Sequence, residues 1–432
     1  MEARTASAVL PARLALAGWV ALVATGVVVG GHLAAAHGEY HVDAAPFVGR
    51  WAVAEPLWPL APLVVFALVA VVAAPRVADR APWAVVLLGA FGTALAWSTL
   101  LAASEGLHAI ARPLHSPADY LAGVHLVGSP ARFLSTFTTE WMRYPTHVKA
   151  HPPGFVLVLW LLNRVGLGGA GWAVALELAI GASAVPAALL ALRAVWSEPA
   201  ARRAAPYVAL APAALWATSG DAVFAGLTAW AITATVLATG HTGRRSCALA
   251  VVAGVAWTAA LLATYGAALL GAVPVAVAWR RRRLDVPLMT ASVVAALLVL
   301  VGIMTGFWWP AGLAATHRAY LAGVAPHRAY GVFVWLDLAA FAAAIGPAAA
   351  AALGALRDRG ALLLAGGALV ALALADVSGL AKGEVERIWL PWAPWLLVAA
   401  GTFPASIAVR RGWLGGQVAF AVGLQVALRS SW

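Results

Sequence analysis

Apolar runs recur along this chain from end to end, and many come close to the ~20 residues a helix needs to cross a bilayer. They fall at about 10–35, 57–75, 82–103, 170–195, 205–219, 222–240, 246–264, 266–279, 286–309, 332–355, 361–377, 388–408 and 413–428. Strand-type alternation with a period of two is not visible. A chain in lipid must satisfy its backbone amides internally, so the runs predict helices rather than a barrel. The expectation is an all-α polytopic membrane protein with roughly thirteen transmembrane helices, no soluble domain and no clear internal repeat. The first run follows Arg4 and Arg13 but exceeds the length of a signal-peptide core, so it is expected to be an uncleaved span.

Composition sharpens this picture. The chain of 432 residues is 63% hydrophobic and 10% charged, against about a quarter charged in soluble domains. Cys247 is the only cysteine, which excludes disulfides within the chain and thiolate metal clusters. The net charge of +11 suggests nucleic acid until it is mapped. Short connections carry Arg76, Arg80, Arg193, Arg202, Arg203, Arg244, Arg245, Arg280 to Arg283, Arg357, Arg359, Arg410 and Arg411. With Arg4 and Arg13 they make 17 basic residues, beside only Glu2, Asp79, Glu198, Asp285 and Asp358. That asymmetry is the positive-inside rule of a membrane protein and places this set in the cytoplasm, with no nucleic-acid partner implied. The bias toward Arg over Lys and toward Ala, Val, Leu and Gly suggests a GC-rich bacterial genome, hence a bacterial plasma membrane.

The other connections lie near 36–56, 104–151, 219–221, 310–331 and 378–387. Ten of the 11 histidines and both lysines, Lys149 and Lys382, fall in or beside them. Titratable chemistry gathered on one face suggests an extracytoplasmic site. One parity problem follows, because an odd number of crossings must separate the loop 104–151 from Arg202 and Arg203. The apolar segment 153–168 starts at Pro152-Pro153-Gly154 and is interrupted by Asn163 and the glycine-rich run 166–171. It is expected to be a half-depth helix that does not cross, which lipid tolerates where protein or water covers its ends.

The long loop contains Ser104-Glu105-Gly106-Leu107-His108, then Ser116-Pro117-Ala118-Asp119-Tyr120, and ends Tyr144-Pro145-Thr146-His147-Val148-Lys149-Ala150-His151-Pro152-Pro153. Here the sequence resembles the GT-C superfamily of polytopic glycosyltransferases, in the branch of protein O-mannosyltransferases and the lipid A aminoarabinose transferase. That branch carries an acidic motif in a large first outer loop, which closes with His-Pro-Pro or Lys-Pro-Pro. Asp119-Tyr120 matches the first and His151-Pro152-Pro153 the second. Asp221 at an outer helix end and Glu384-Val385-Glu386-Arg387-Ile388-Trp389-Leu390-Pro391 are similar to later features of the branch. The likeness covers roughly 82–410, with 1–81 as added N-terminal spans. Two departures stand out: the second acid of the pair is missing after Asp119, and Gly154 replaces a leucine.

The resemblance implies transfer of a monosaccharide, with inversion, from a polyprenyl-phosphate donor to an envelope glycan, glycolipid or secreted protein. Chemically, such a step needs a carboxylate to take the acceptor's hydroxyl proton, here Asp119 or its rival Glu105. It also needs cations or hydrogen-bond donors at the departing phosphate, for which Lys149, His151 and Arg387 are the candidates. Tyr120, His147, Asp221, Glu384 and Glu386 are further candidates around the site. A divalent metal would share the phosphate's charge, with His147, His151 and Glu140 as ligands, although their spacing fits no fixed motif.

Each residue also has a plainer role. Asp119 suits a helix N-cap, Asp221 a helix-opening acid, Pro152 and Pro153 a helix start, and Lys149 an interfacial residue. Arg387 with Glu384 suits an i,i+3 pair. Glu177 lies in mid-span and needs a partner or a cavity. The rival functions are a lipid or solute transporter, which the lack of a repeat argues against, and a non-catalytic relative acting as a scaffold.

Overall fold

The computed structural model describes residues 2–430, with side chains from Val9 onward, so the side chains of Glu2 and Arg4 lie outside the described ones. Nine helices among the described residues are long and apolar enough to cross a membrane. They are Val9–Ala36, Trp58–Arg80, Trp83–Glu105, Ala170–Val195, Gly220–Ala238, Gly243–Ala263, Asp285–Thr305, Tyr330–Ala355 and Arg359–Val377. Each coincides with one of the apolar runs, and together they fit a multi-pass membrane protein.

The other four of the expected thirteen spans take different forms. Run 205–219 is the end of helix Glu198–Ala209 followed by a 3₁₀ helix Pro212–Trp216. Run 266–279 is a 3₁₀ helix Tyr265–Gly271 leading into Ala272–Arg281. Run 388–408 breaks into short turns from Val385 to Thr402. Run 413–428 lies in the 21-residue helix Ile407–Ala427, whose first turns carry Arg410 and Arg411. Proline explains most of the breaks, since Pro212, Pro391 and Pro394 have no amide to continue a helix. The segment from Val385 to Thr402 is covered by protein, with every residue from 389 to 401 buried, the condition under which lipid tolerates irregular backbone. At the first break, the buried Trp97 indole donates to the Ala211 carbonyl at 3.0 Å.

Packing relies on small residues, which let helix backbones approach closely. A methyl group at Gly226 would fall 2.1 Å from the Ile180 carbonyl oxygen. This close approach seats Gly220–Ala238, which carries Asp221, against Ala170–Val195, which carries Glu177. The first helix is peripheral and packs on Tyr330–Ala355, where Gly26 faces Ala339 and Gly30 faces Leu336. Tyr330–Ala355 is itself kinked at Gly346, whose φ of 81° is reached without strain only by glycine.

The two classes of connection segregate. At one end Arg202 donates to the carbonyls of Ala78 and Ala81 at 2.8 and 2.7 Å, and Arg203 to that of Gly401 at 2.9 Å. Arg410 pairs with Asp79, and Arg281 donates to the Ala194 carbonyl at 2.6 Å. At the other end Thr316 donates to the Lys149 carbonyl at 3.0 Å, Tyr320 to that of Gly379 at 2.8 Å, and Arg328 to that of Tyr40 at 3.0 Å. Between Ala102 and Gly154 the chain makes only short helical turns, the longest being the seven-residue Pro130–Thr136. Segment 153–168 forms the 11-residue helix Gly154–Arg164, about 16 Å long at 1.5 Å per residue. That is about half of a ~30 Å hydrocarbon core, too short to cross.

Candidate functional site

The turn Ser116-Pro117-Ala118-Asp119 is built by local bonds. The Asp119 amide donates to the Ser116 carbonyl at 3.0 Å, and the Ala118 amide to Ser116 Oγ at 3.2 Å. Asp119 then caps the short helix Tyr120–Gly123, its Oδ1 accepting from the Leu121 amide at 3.0 Å. The Ala118 carbonyl accepts from the His147 amide at 2.9 Å, which docks the short helix Thr146–Lys149 on this turn. The other carboxylate oxygen of Asp119 lies 3.4 Å from His147 Nδ1.

His147 is the hub. Its Nε2 is 3.2 Å from an Arg387 guanidinium nitrogen. Arginine only donates, so Nε2 accepts and the ring proton sits on Nδ1, facing Asp119. Arg387 also donates to Asp221 Oδ2 and Glu384 Oε2, each at 2.6 Å. Asp119, His147, Asp221 and Arg387 are all buried, while Glu384 is partly exposed. Burial works against the Arg387 charge, but Asp221 and Glu384 outweigh it and raise its pKa. The result is one chain of contacts, Asp119–His147–Arg387–Asp221, drawn from residues that span most of the sequence.

His151 sits one helical turn beyond His147, and its Nδ1 donates to the His147 carbonyl at 3.0 Å. Its Nε2 is therefore left as an acceptor. Burial lowers its pKa to about 4 despite the pull of Asp221. With its proton on Nδ1 committed to the His147 carbonyl, the neutral ring offers the site an acceptor at Nε2. Tyr120 packs among His147, His151, Phe155 and Phe224 at ring distances of 4.9 to 6.3 Å. Burial raises its pKa well above the ordinary value, and its hydroxyl has no partner among the described residues. Glu177, 1% exposed and with Oε2 unpartnered, lies within electrostatic reach of Asp119 and Asp221.

Other expected residues go elsewhere. Glu105 pairs with Arg112 at 2.5 Å and Arg429 at 3.2 Å, so its carboxylate is engaged away from His147. Glu386 turns away from Arg387's partners: its Oε1 accepts from the Val48 amide at 3.3 Å and its Oε2 has no partner among the described residues. Burial raises the Glu386 pKa to about 7. The Lys149 ammonium makes no ion pair among the described residues. Glu140 pairs with Arg143 at 2.8 Å, and no group of three or more His, Cys, Asp or Glu among the described residues is placed to hold a metal ion. Glu177 is not alone as a carboxylate buried in a long apolar helix. Asp337, 1% exposed inside Tyr330–Ala355, is a second: its Oδ1 accepts from the Gly383 amide at 2.8 Å and its Oδ2 is unpartnered. An acid in an apolar run was the available signal.

In comparisons with known proteins, no family model and no curated protein matches the chain.

Proposed function

We propose that the chain is a membrane glycosyltransferase of GT-C type that moves a monosaccharide from a polyprenyl-phosphate donor to a cell-envelope acceptor, with inversion. The observation that carries this reading is the meeting of Asp119, His147, Asp221, Glu384 and Arg387 on the face opposite the arginine-rich connections. Of the two carboxylates suited to be the base, Asp119 joins this centre and Glu105 does not. In the step, the acceptor oxygen attacks the anomeric carbon as the bond from that carbon to the phosphate oxygen breaks. The electron pair leaves with the polyprenyl phosphate, and the acceptor proton goes to Asp119. The Leu121 amide and His147 Nδ1 fix the carboxylate's orientation, while Arg387, through His147 Nε2, holds the ring that faces it. Lys149, whose ammonium is not committed to an ion pair, is the remaining cation for the departing phosphate.

The test is genetic and chemical. A strain lacking the protein should lose one envelope glycan. The wild-type chain should restore it, and Asp119→Asn should fail while accumulating in the membrane to the same level. Loss of a general base corresponds to a rate about 10²–10⁴ lower. Full restoration by Asp119→Asn would remove Asp119 from the mechanism. The buried carboxyls Glu177 and Asp337 favour the rival reading, a transporter. Uptake or flipping in proteoliposomes without any glycan product would establish that rival.

A further inference from the structure

The N-terminal segment and the last described residues form a ribbon at the site's end of the bundle. Strand Gly49–Trp51 pairs antiparallel with Leu428–Ser430. Bonds from the Ala52 and Ala54 amides to the Ala427 and Val426 carbonyls, both 2.9 Å, extend the pairing. The contact is close: a methyl at Gly49 would fall 2.4 Å from the Arg429 carbonyl oxygen. In this register Arg50 stands directly opposite Arg429. Like charges directly opposite across a ribbon are unfavourable. Here both residues line one open pocket of about 830 Å³, with Arg112 as a third cation.

Three arginines and three carboxylates line this pocket, but of the acids only Glu105 is ion-paired with an arginine among the described residues. Glu105 is shared by Arg112 and Arg429. Arg50 makes no ion pair among the described residues. Arg429 turns one nitrogen to Glu105 and to the Gln425 and Leu428 carbonyls, while its Nη2 is buried with no hydrogen-bond partner among the described residues. A buried donor left unmade is costly, and Nη2 would have to turn toward the pocket to meet a ligand oxygen. Asp43 and Glu55 also line the pocket but reach none of the three guanidiniums. They remain available to accept from hydroxyl groups.

We propose that this pocket binds a phosphate ester bearing hydroxyl groups, its phosphate held between Arg50, Arg429 and Arg112 and its hydroxyls turned toward Asp43 and Glu55. Arginine forks match phosphate oxygens in pairs, and the volume falls within the ~300–1,000 Å³ of ligand pockets. None of these residues belongs to the chain Asp119–His147–Arg387–Asp221, so the proposal stands independently of glycosyl transfer.

The test uses the full chain in phosphatidylcholine nanodiscs, titrated calorimetrically with inorganic phosphate and with glycerol 3-phosphate. Both should bind saturably. Arg50→Gln, at an exposed position that leaves the fold intact, should weaken both by about tenfold or more, as expected for one charged hydrogen bond. Asp43→Asn with Glu55→Gln should weaken glycerol 3-phosphate alone. Repeating the titration in phosphatidylglycerol nanodiscs distinguishes the ligand's source. Competition by the bilayer identifies a lipid headgroup, and unchanged affinity identifies a soluble ester; either supports the site. Absence of saturable binding, or wild-type affinity in Arg50→Gln, overturns it.

Discussion

At the scale of single residues, Arg387 decides whether the centre holds together. Its partners Asp221 and Glu384 were both visible in the sequence as acids, but only Glu384, three residues away, was legible as a partner. The bond to Asp221 joins positions far apart in the chain, and no local pattern encodes it. Removing a buried ion partner leaves an uncompensated charge, which costs about 3–5 kcal/mol. Arg387→Ala should therefore lower the unfolding temperature in detergent, and Arg387→Ala with Asp221→Asn should recover part of the loss. A single mutant as stable as wild type would show that the pair contributes nothing.

Two buried or half-buried groups give opposite pH slopes. His151, at about 4 in the fold, binds fewer protons folded than unfolded between that value and an ordinary ~6.5. Its contribution is present above about 6.5 and is lost as pH falls toward 4. Glu386, at about 7, binds more protons folded than unfolded above its ordinary ~4.3, so stability drops as pH rises through that window. Glu386→Gln mimics the protonated acid. It should unfold at a higher temperature than wild type at pH 8 and at the same temperature at pH 4. Parallel pH curves for the two proteins would contradict the burial argument.

Among the elements, the nine long helices were legible because apolarity over a span length leaves a lipid-exposed chain no alternative. The broken crossings were not, since hydropathy measures apolarity and is blind to prolines that divide a run. The kink in Tyr330–Ala355 shows what such breaks require. At Gly346-Pro347 the Ile345 carbonyl and the Ala348 amide lose their helical partners. Gln417 of the helix Ile407–Ala427 replaces both: its Nε2 donates to Ile345 and its Oε1 accepts from Ala348, each at 2.9 Å. Gln417, 0% exposed, reads in sequence only as a polar residue in an apolar run. Gln417→Leu would leave two buried groups unpaired at about 1–3 kcal/mol each. The expected result is a clear loss of thermal stability, larger than for Gln425→Leu, whose amide donates to the side chain of Ser104. Equal losses would mean that the kink is held by packing alone.

For the molecule as a whole, the proposed chemistry depends on sidedness. The sequence expressed it as arginine segregation; in the structure arginine-rich connections touch one another, and the stretches 104–151 and 378–387 meet through His147 and Arg387. Charge bias is legible because it is a sum over many residues, whereas a three-dimensional centre depends on a few long-range contacts that no sum reveals. Which end faces the cytoplasm follows from the positive-inside rule, and it can be measured. The lone Cys247 is exposed and must first be removed as Cys247→Ser. In that background a reporter thiol placed by Met142→Cys, at a position 77% exposed, marks the site's end, and one placed by Arg244→Cys marks the arginine-rich end. A membrane-impermeant maleimide applied to intact cells should label the first and reach the second only after the membrane is opened. The reverse pattern would put Asp119 and Arg387 in the cytoplasm, where an envelope acceptor would not meet them. Labelling of both thiols from outside would mean that the two sets of connections do not lie on opposite sides of the bilayer.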